Sequence, residues 1–163
     1  SRTGNTEALA RAVAAALPSE GRLAFGRVDE VDRAAVAQAD RVYAGFWTNR
    51  GDCGDELAEV LASLADKDVF LFGTAGFGAD ETYFAGVMAR VAVHLPESAR
   101  IVGTFMCQGR MPASVRARYA QTAEAKPEQA ARMHQLIENF DEAASHPDDD
   151  DLARLREAVQ AAS

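Results

Sequence analysis

Asp68-Val-Phe-Leu-Phe-Gly73 decides the fold. Its apolar run does not alternate with polar residues, as a strand buried on both faces requires. It is followed by Thr74-Ala-Gly-Phe-Gly-Ala-Asp80, a Gly-rich loop, and then by a helical pattern from Glu81 to Val93. The order strand, loop, helix occurs twice more. Arg41-Val-Tyr-Ala-Gly-Phe-Trp47 leads through the turn-rich stretch Thr48 to Gly54 into a helix that Asp55 can cap, running to about Ala65 with Leu57, Val60, Leu61 and Leu64 inside. Arg100-Ile-Val-Gly-Thr-Phe-Met-Cys107 leads to Pro112, which opens a helix through about Glu124. The expected class is α/β, with a parallel sheet covered on both faces. Such sheets bind ligands at the carboxyl ends of their strands, so the loops after Trp47, Gly73 and Cys107 share one edge.

Outside this repeat, Gly4 to Leu17 reads as a helix with Leu9, Val13 and Leu17 on one face, stopped by Pro18. Arg22 to Gly26 is a short strand candidate, and Asp32 to Gln38 one or two helical turns. Pro127 opens a helix through about Ala143, and a last helix runs from about Asp149 to Ala162. The reading is one domain over residues 1–163, with 126–163 as a C-terminal helical extension of it. At this size a chain buries roughly 68–70% of its unfolded surface, enough for a core without staples. Seventeen basic and 25 acidic residues give a net charge of −8, which argues against nucleic acid and anionic membranes as partners. Two cysteines make neither a disulfide scaffold nor a four-ligand zinc site. No apolar run reaches bilayer-spanning length, and a cytoplasmic location is expected.

Ser1-Arg2-Thr3-Gly4-Asn5-Thr6 stands immediately before the first helix. Hydroxyls, a glycine and the free N–H groups of a helix start make an anion site. The same residues also suit an ordinary N-cap, with Thr3 or Asn5 capping and Gly4 easing the turn. The spacing is neither that of a nucleoside-triphosphate loop nor that of a dinucleotide fingerprint. It does resemble the phosphate loop of flavodoxins, Ser/Thr-x-Thr-Gly-Asn-Thr, which Ser1, Thr3, Gly4, Asn5 and Thr6 all match. The resemblance implies a doubly wound sheet of order 2-1-3-4-5 and FMN as cofactor. Ser1, Thr3, Asn5 and Thr6 would bind its phosphate, with Gly4 permitting close backbone approach and Arg2 inside the loop.

Two further segments carry the resemblance. Gly45-Phe-Trp-Thr-Asn-Arg-Gly-Asp52 lies where flavodoxins place an aromatic against the flavin and a turn whose peptide bonds the ring. Trp47 would stack, and Thr48, Asn49, Arg50 and Gly51 would supply the turn; taken alone, Trp47 also reads as a core residue. Thr74, Ala75, Gly76 and Phe77 occupy the second flavin loop, which in that family often supplies a Tyr. Here the ring face falls to Phe77 or to Tyr83, or is left open. Phe-Met-Cys-Gln-Gly-Arg-Met-Pro112 and Ser-His-Pro-Asp148 resemble a narrower group of bacterial flavodoxin-like proteins, one of them encoded beside bilirubin reductases. In that group Gln108 and Gly109 would border the flavin.

Other candidate chemistry is sparse. Cys53 and Cys107 both follow strong strands but lack the spacing of a redox motif, so Cys107 reads as a small buried hydrophobe and Cys53 as a loop thiol. His94, His134 and His146 share no metal-ligand spacing. Asp148 to Asp151 lacks the alternation of a calcium loop and suits a helix start. No Gly-x-Ser-x-Gly elbow is present.

By resemblance the chain is an FMN-binding electron carrier, served by an electron-donating reductase and an electron-accepting redox enzyme. Alternatives are an FMN-dependent oxidoreductase acting directly on a quinone or tetrapyrrole, and a cofactor-free interaction module. In flavodoxins a strand precedes the phosphate loop, so the first strand is expected to be missing ahead of Ser1 by truncation. The DNA upstream of Ser1 should then encode, in frame, a Met and about five apolar residues; sequencing that finds an immediate in-frame stop rejects the expectation.

Overall fold

The computed structural model describes residues 3–78 and 80–163. Three strands, β1 (Arg41–Trp47), β2 (Asp68–Ala75) and β3 (Arg100–Gln108), form a parallel sheet in the order β1-β2-β3. Trp47 lies opposite Thr74, and Ala75 opposite Gln108, so the three carboxyl ends are level. In β2 every residue after Asp68 is buried. A strand in that position needs cover on both faces, and the helices supply it.

On one face lie α1 (Asn5–Ala16) and α7 (Asp149–Ala161). Their Leu9, Ala12, Val13, Leu155 and Val159 pack with Phe70, Phe72 and Cys107 of the sheet. On the other lie α3 (Asp55–Ala62) and α4 (Glu81–Ala92). Leu57, Val60, Leu61, Val87 and Val91 there enclose Ala44, Phe46, Val69 and Leu71. The short α2 (Arg33–Gln38) precedes β1. Glycine lets the aromatic rings lie on the strands: a Cβ on Gly73 would sit 2.6 Å from Phe46 Cζ.

At the opposite, amino edge, Asp68 links all three strands. Its carboxylate accepts from Arg41 of β1 (3.0 Å) and from Arg100 of β3 (2.8 and 2.9 Å). The hydrogen bonds from Arg41 and then Arg100 hold its carboxyl below the usual carboxylate range.

Several expectations change. Arg22 to Gly26 forms no strand, and Leu23 and Phe25 are each 53% exposed. An isolated extended segment is stable only in a ladder, and among the described residues none runs alongside it. Of the expected five-strand order 2-1-3-4-5, the described residues form three strands, in sequential order β1-β2-β3. Gly54, not Asp55, is the residue at the N-cap of α3. The stretch after Pro127 begins as a 3₁₀ turn (Pro127–Gln129) before α6 (Ala130–Ala143).

The expected extension 126–163 also divides in two. Helix α5 (Ala113–Ala125) pairs with α6, an arrangement tied by Arg116 and Asp141 at 2.7 and 2.9 Å. Helix α7 instead belongs to the main core. It starts with a capping box between Asp148 and Asp151, as the acidic run suggested.

Leu61 is fully buried between α3 and the sheet. Leu61→Ala should lower unfolding free energy by about 2–5 kcal/mol, measured by urea denaturation at unchanged m-value.

Candidate functional site

Helix α1 starts at a glycine in the left-handed region, Gly4 (φ 77°), and has no side-chain cap. Thr3 and Asn5 therefore do not cap it. Asn5 is buried and turns across the sheet edge, its Nδ2 donating to the Arg110 carbonyl at 2.9 Å. Gly109 makes room for it, since a Cβ there would lie 2.5 Å from Asn5 Nδ2. The helix start is thus joined to the loop after β3. Ser1 and Arg2 lie outside the described residues.

Three buried polar atoms at this edge have no partner among the described residues: Asn5 Oδ1, Thr6 Oγ1 and Thr48 Oγ1. Two belong to the first turn of α1, and the third follows directly on β1. A buried polar group left unpaired costs about 1–3 kcal/mol. Such atoms next to the free N–H groups of a helix start suit an anion with several acceptor oxygens.

After β1 the chain makes a two-residue hairpin turn. Asn49 and Asp52 exchange both backbone hydrogen bonds (2.8 and 3.0 Å), with Arg50 at φ 52° and Gly51 at φ 86°. Positive φ at both central positions makes it type I′. The last turn of α4 and the residues just past it hold this hairpin by two side chains four positions apart. Arg90 Nε donates to the Gly51 carbonyl at 2.6 Å, and His94 Nε2 lies 3.1 Å from both Asp52 oxygens. Burial opposes ionisation of Asp52, but the Cys53 N–H at 2.7 Å and His94 outweigh it, leaving the carboxyl below its ordinary range.

The second loop runs from Thr74 to Asp80. Thr74 and Ala75 are buried and give their carbonyls to the neighbouring loops, through Thr48 N (2.8 Å) and Gly109 N (3.0 Å). The Gly76 carbonyl accepts from Asn139 Nδ2 of α6 at 2.8 Å, and Asn139 Oδ1 accepts from Gln108 at 3.2 Å. Gln108 is thus buried behind the loop as a brace. Thr48, Arg50, Gly51, Gly76, Phe77, Tyr83 and Arg90 line one cleft of about 390 Å³. Trp47, directly before the lining residue Thr48, is 52% exposed. A slightly larger groove, about 460 Å³, lies between Arg33 and Val36 of α2 and Glu59 of α3, away from this edge and its unpaired polar atoms.

The structure therefore brings both expected loops and the start of α1 to one edge. The sequence reading missed Arg90, His94 and Asn139. Arg90 lies in the last turn of α4 and His94 just past its end, and no local pattern marked either of them or Asn139.

The sequence profile described as "Flavodoxin domain" matches residues 1–160. The chain belongs to the flavodoxin domain family. A flavodoxin-like domain-containing protein, BilS, of Clostridium symbiosum (strain WAL-14163) is 35% identical over 96% of this chain and 88% of its own length. A protein of the same name from Clostridioides difficile (strain CD3) is 29% identical over 69% of this chain and 64% of its own length. Among solved structures, a two-electron reduced flavodoxin of Megasphaera elsdenii aligns with TM-score 0.46 at 25% identity, over 70% of this chain and 85% of that one.

Flavodoxins generally bind FMN, and the residues of this flavodoxin domain fit it. The unpaired Thr6 and Thr48 hydroxyls can donate to a phosphate or ribityl oxygen. Between the loops, glycine keeps the cleft walls close: a Cβ on Gly51 would meet Arg90 Nη2 at 2.8 Å, and one on Gly76 would meet Met111 Cγ at 2.5 Å. Phe77, Tyr83 and Trp47 provide aromatic surface at the same place.

The cysteines of this flavodoxin domain lie on opposite faces of the sheet, Cys53 with α3 and α4 and Cys107 with α1 and α7, so they form no redox pair. Cys53 is a loop thiol, as expected, but a buried one, and burial together with Asp52 pushes its thiol up to about 11. It lies within reach of Asp52 and His94, but those two already satisfy one another. Iodoacetamide should label native Cys53 with a rate that rises toward about pH 11. In urea the rise should centre near the ordinary thiol value, about pH 8.5. Mass spectrometry of the Cys53 peptide checks this, and equal profiles in the two states reject it.

Proposed function

We propose that the chain binds FMN at the carboxyl edge of its sheet and carries electrons between an electron-donating reductase and an electron-accepting redox enzyme. By its likeness to the BilS proteins, and the resemblance to proteins encoded beside bilirubin reductases, the acceptor proposed is a reductase of a bilirubin-type tetrapyrrole. The observation that carries the reading is the set of unpaired buried polar atoms, Asn5 Oδ1, Thr6 Oγ1 and Thr48 Oγ1, beside the start of α1. When bound, FMN supplies the redox chemistry. The chain's own residues bind and orient it. Thr6, Thr48 and the first N–H groups of α1 hold the anionic tail. Phe77 and Tyr83 pack against the ring, and Trp47 shields it from the rim. Arg90 and His94 fix the turn at Asn49–Asp52 against it.

Trp47 and Phe77 are both exposed, which leaves room for a substrate to approach the ring and favours the direct oxidoreductase as a second reading. Steady-state turnover of NAD(P)H and a quinone by the purified protein alone separates the two: turnover without a reductase selects the enzyme.

Reconstitution should give one FMN per chain by visible absorbance, with quenching of the single tryptophan, Trp47. Thr6→Val should weaken FMN binding about tenfold, the worth of one hydrogen bond to a charged group. It should leave the thermal midpoint of the apoprotein unchanged or raised, because an unpaired hydroxyl is removed. A chain that takes up no FMN defeats the carrier and the oxidoreductase together.

A further inference from the structure

The chain carries a net charge of −8, yet the cleft between the two loops has the opposite sign. Among the described residues its charged lining residues are Arg50 and Arg90, and no carboxylate lines it. Neither guanidinium is in an ion pair among the described residues. Arg90 is fixed in place by its bond to the Gly51 carbonyl, which is neutral and leaves its charge uncompensated. Two acids of the flanking loops are engaged elsewhere. Asp52 receives the Cys53 N–H and faces His94, and Asp80 caps α4 by accepting from Thr82 N. The apolar walls, Phe77 and Tyr83, lower the local dielectric and so strengthen the field of both cations.

From this arrangement we infer that Arg50 and Arg90 make the cleft select the reduced, anionic form of its cofactor over the oxidised form, raising the potential at which the chain accepts electrons. The inference rests on the FMN reading above and specifies how this site is tuned. Two electrons and one proton taken up by the ring leave it with one more negative charge than before, whereas two electrons and two protons leave its charge unchanged. Cations beside the ring favour the first balance. The electrons come from a low-potential donor, the reductase in the proposed function or dithionite in the test. Because a potential is the ratio of affinities for the two redox forms, the effect is a binding preference and is read as one.

The test compares wild type, Arg50→Gln, Arg90→Gln and Arg90→Lys, each loaded with FMN and reduced by dithionite against a reference dye. Arg90→Gln should lose about tenfold of the preference for reduced FMN, a fall of about 30 mV in the two-electron potential. Arg90→Lys should keep most of it, since the charge remains while the planar donor set does not. Arg50 sits on an exposed turn, so Arg50→Gln should show a smaller fall that fades as salt rises. If Arg90→Gln fails to fold, Arg50→Gln at low salt decides alone. FMN binding with an unchanged preference in both glutamine variants overturns the inference. So does a fall in Arg90→Gln that Arg90→Lys shares in full, because geometry and not charge would then be responsible. Wild type that binds no FMN refutes the function reading first, and this inference with it.

Discussion

A strand apolar on both sides cannot face water on either, and β2 imposes that condition on the whole molecule. Covering it takes two helical layers, and connecting parallel strands takes a crossover each time. Each crossover leaves its strand at the same end. The loops after β1, β2 and β3 are therefore neighbours because the sheet is parallel, before any ligand is considered. The amino end shows the complementary arrangement, where Asp68 draws Arg41 and Arg100 together and keeps the strand starts in register. One end of the sheet is closed by ion pairs, while the other is left with unpaired polar atoms.

What the sequence revealed follows from range. Apolar runs and their flanking turns are local, so β1, β2, β3 and most helices were readable from residues a few positions apart. The phosphate-loop pattern was likewise contiguous. The placements that failed depended on distant partners. Arg22 to Gly26 has the composition of a strand, but a strand exists only against a neighbour. Asn5 looked like a cap and is instead spent on Arg110, 105 positions away. The bond from Gln108 to Asn139 of α6, 31 positions on, and the burial of the loop residue Cys53 under α3 and α4 were equally out of reach.

The candidate site is stiff where a loop would usually be free. The turn at Asn49–Asp52 is a closed hairpin pinned by Arg90 of α4 and by His94 just past it, and the second loop is held from behind by α6. Preorganised walls of this kind reduce the ordering cost of binding. They also assign work to helices that touch no expected cofactor atom. Through Asn139 the α5–α6 pair reaches the loop at Gly76, so this helical pair is structurally part of the site it adjoins.

The two faces of the sheet differ in how their cover is drawn from the chain. α3 and α4 come from the middle, between the strands they cover. α1 and α7 come from opposite ends, more than 130 positions apart, and pack on each other as well as on the sheet. During synthesis the α3–α4 face can close while the ribosome is still adding residues. The other must wait for the last helix, leaving Phe70, Phe72 and Leu9 wetted until then. Contacts so distant in sequence are slow to form, and apolar surface left open meanwhile is prone to associate with other chains. Removing the final dozen residues would therefore unroof a face of the central sheet, although none of them lines the cleft between the two loops.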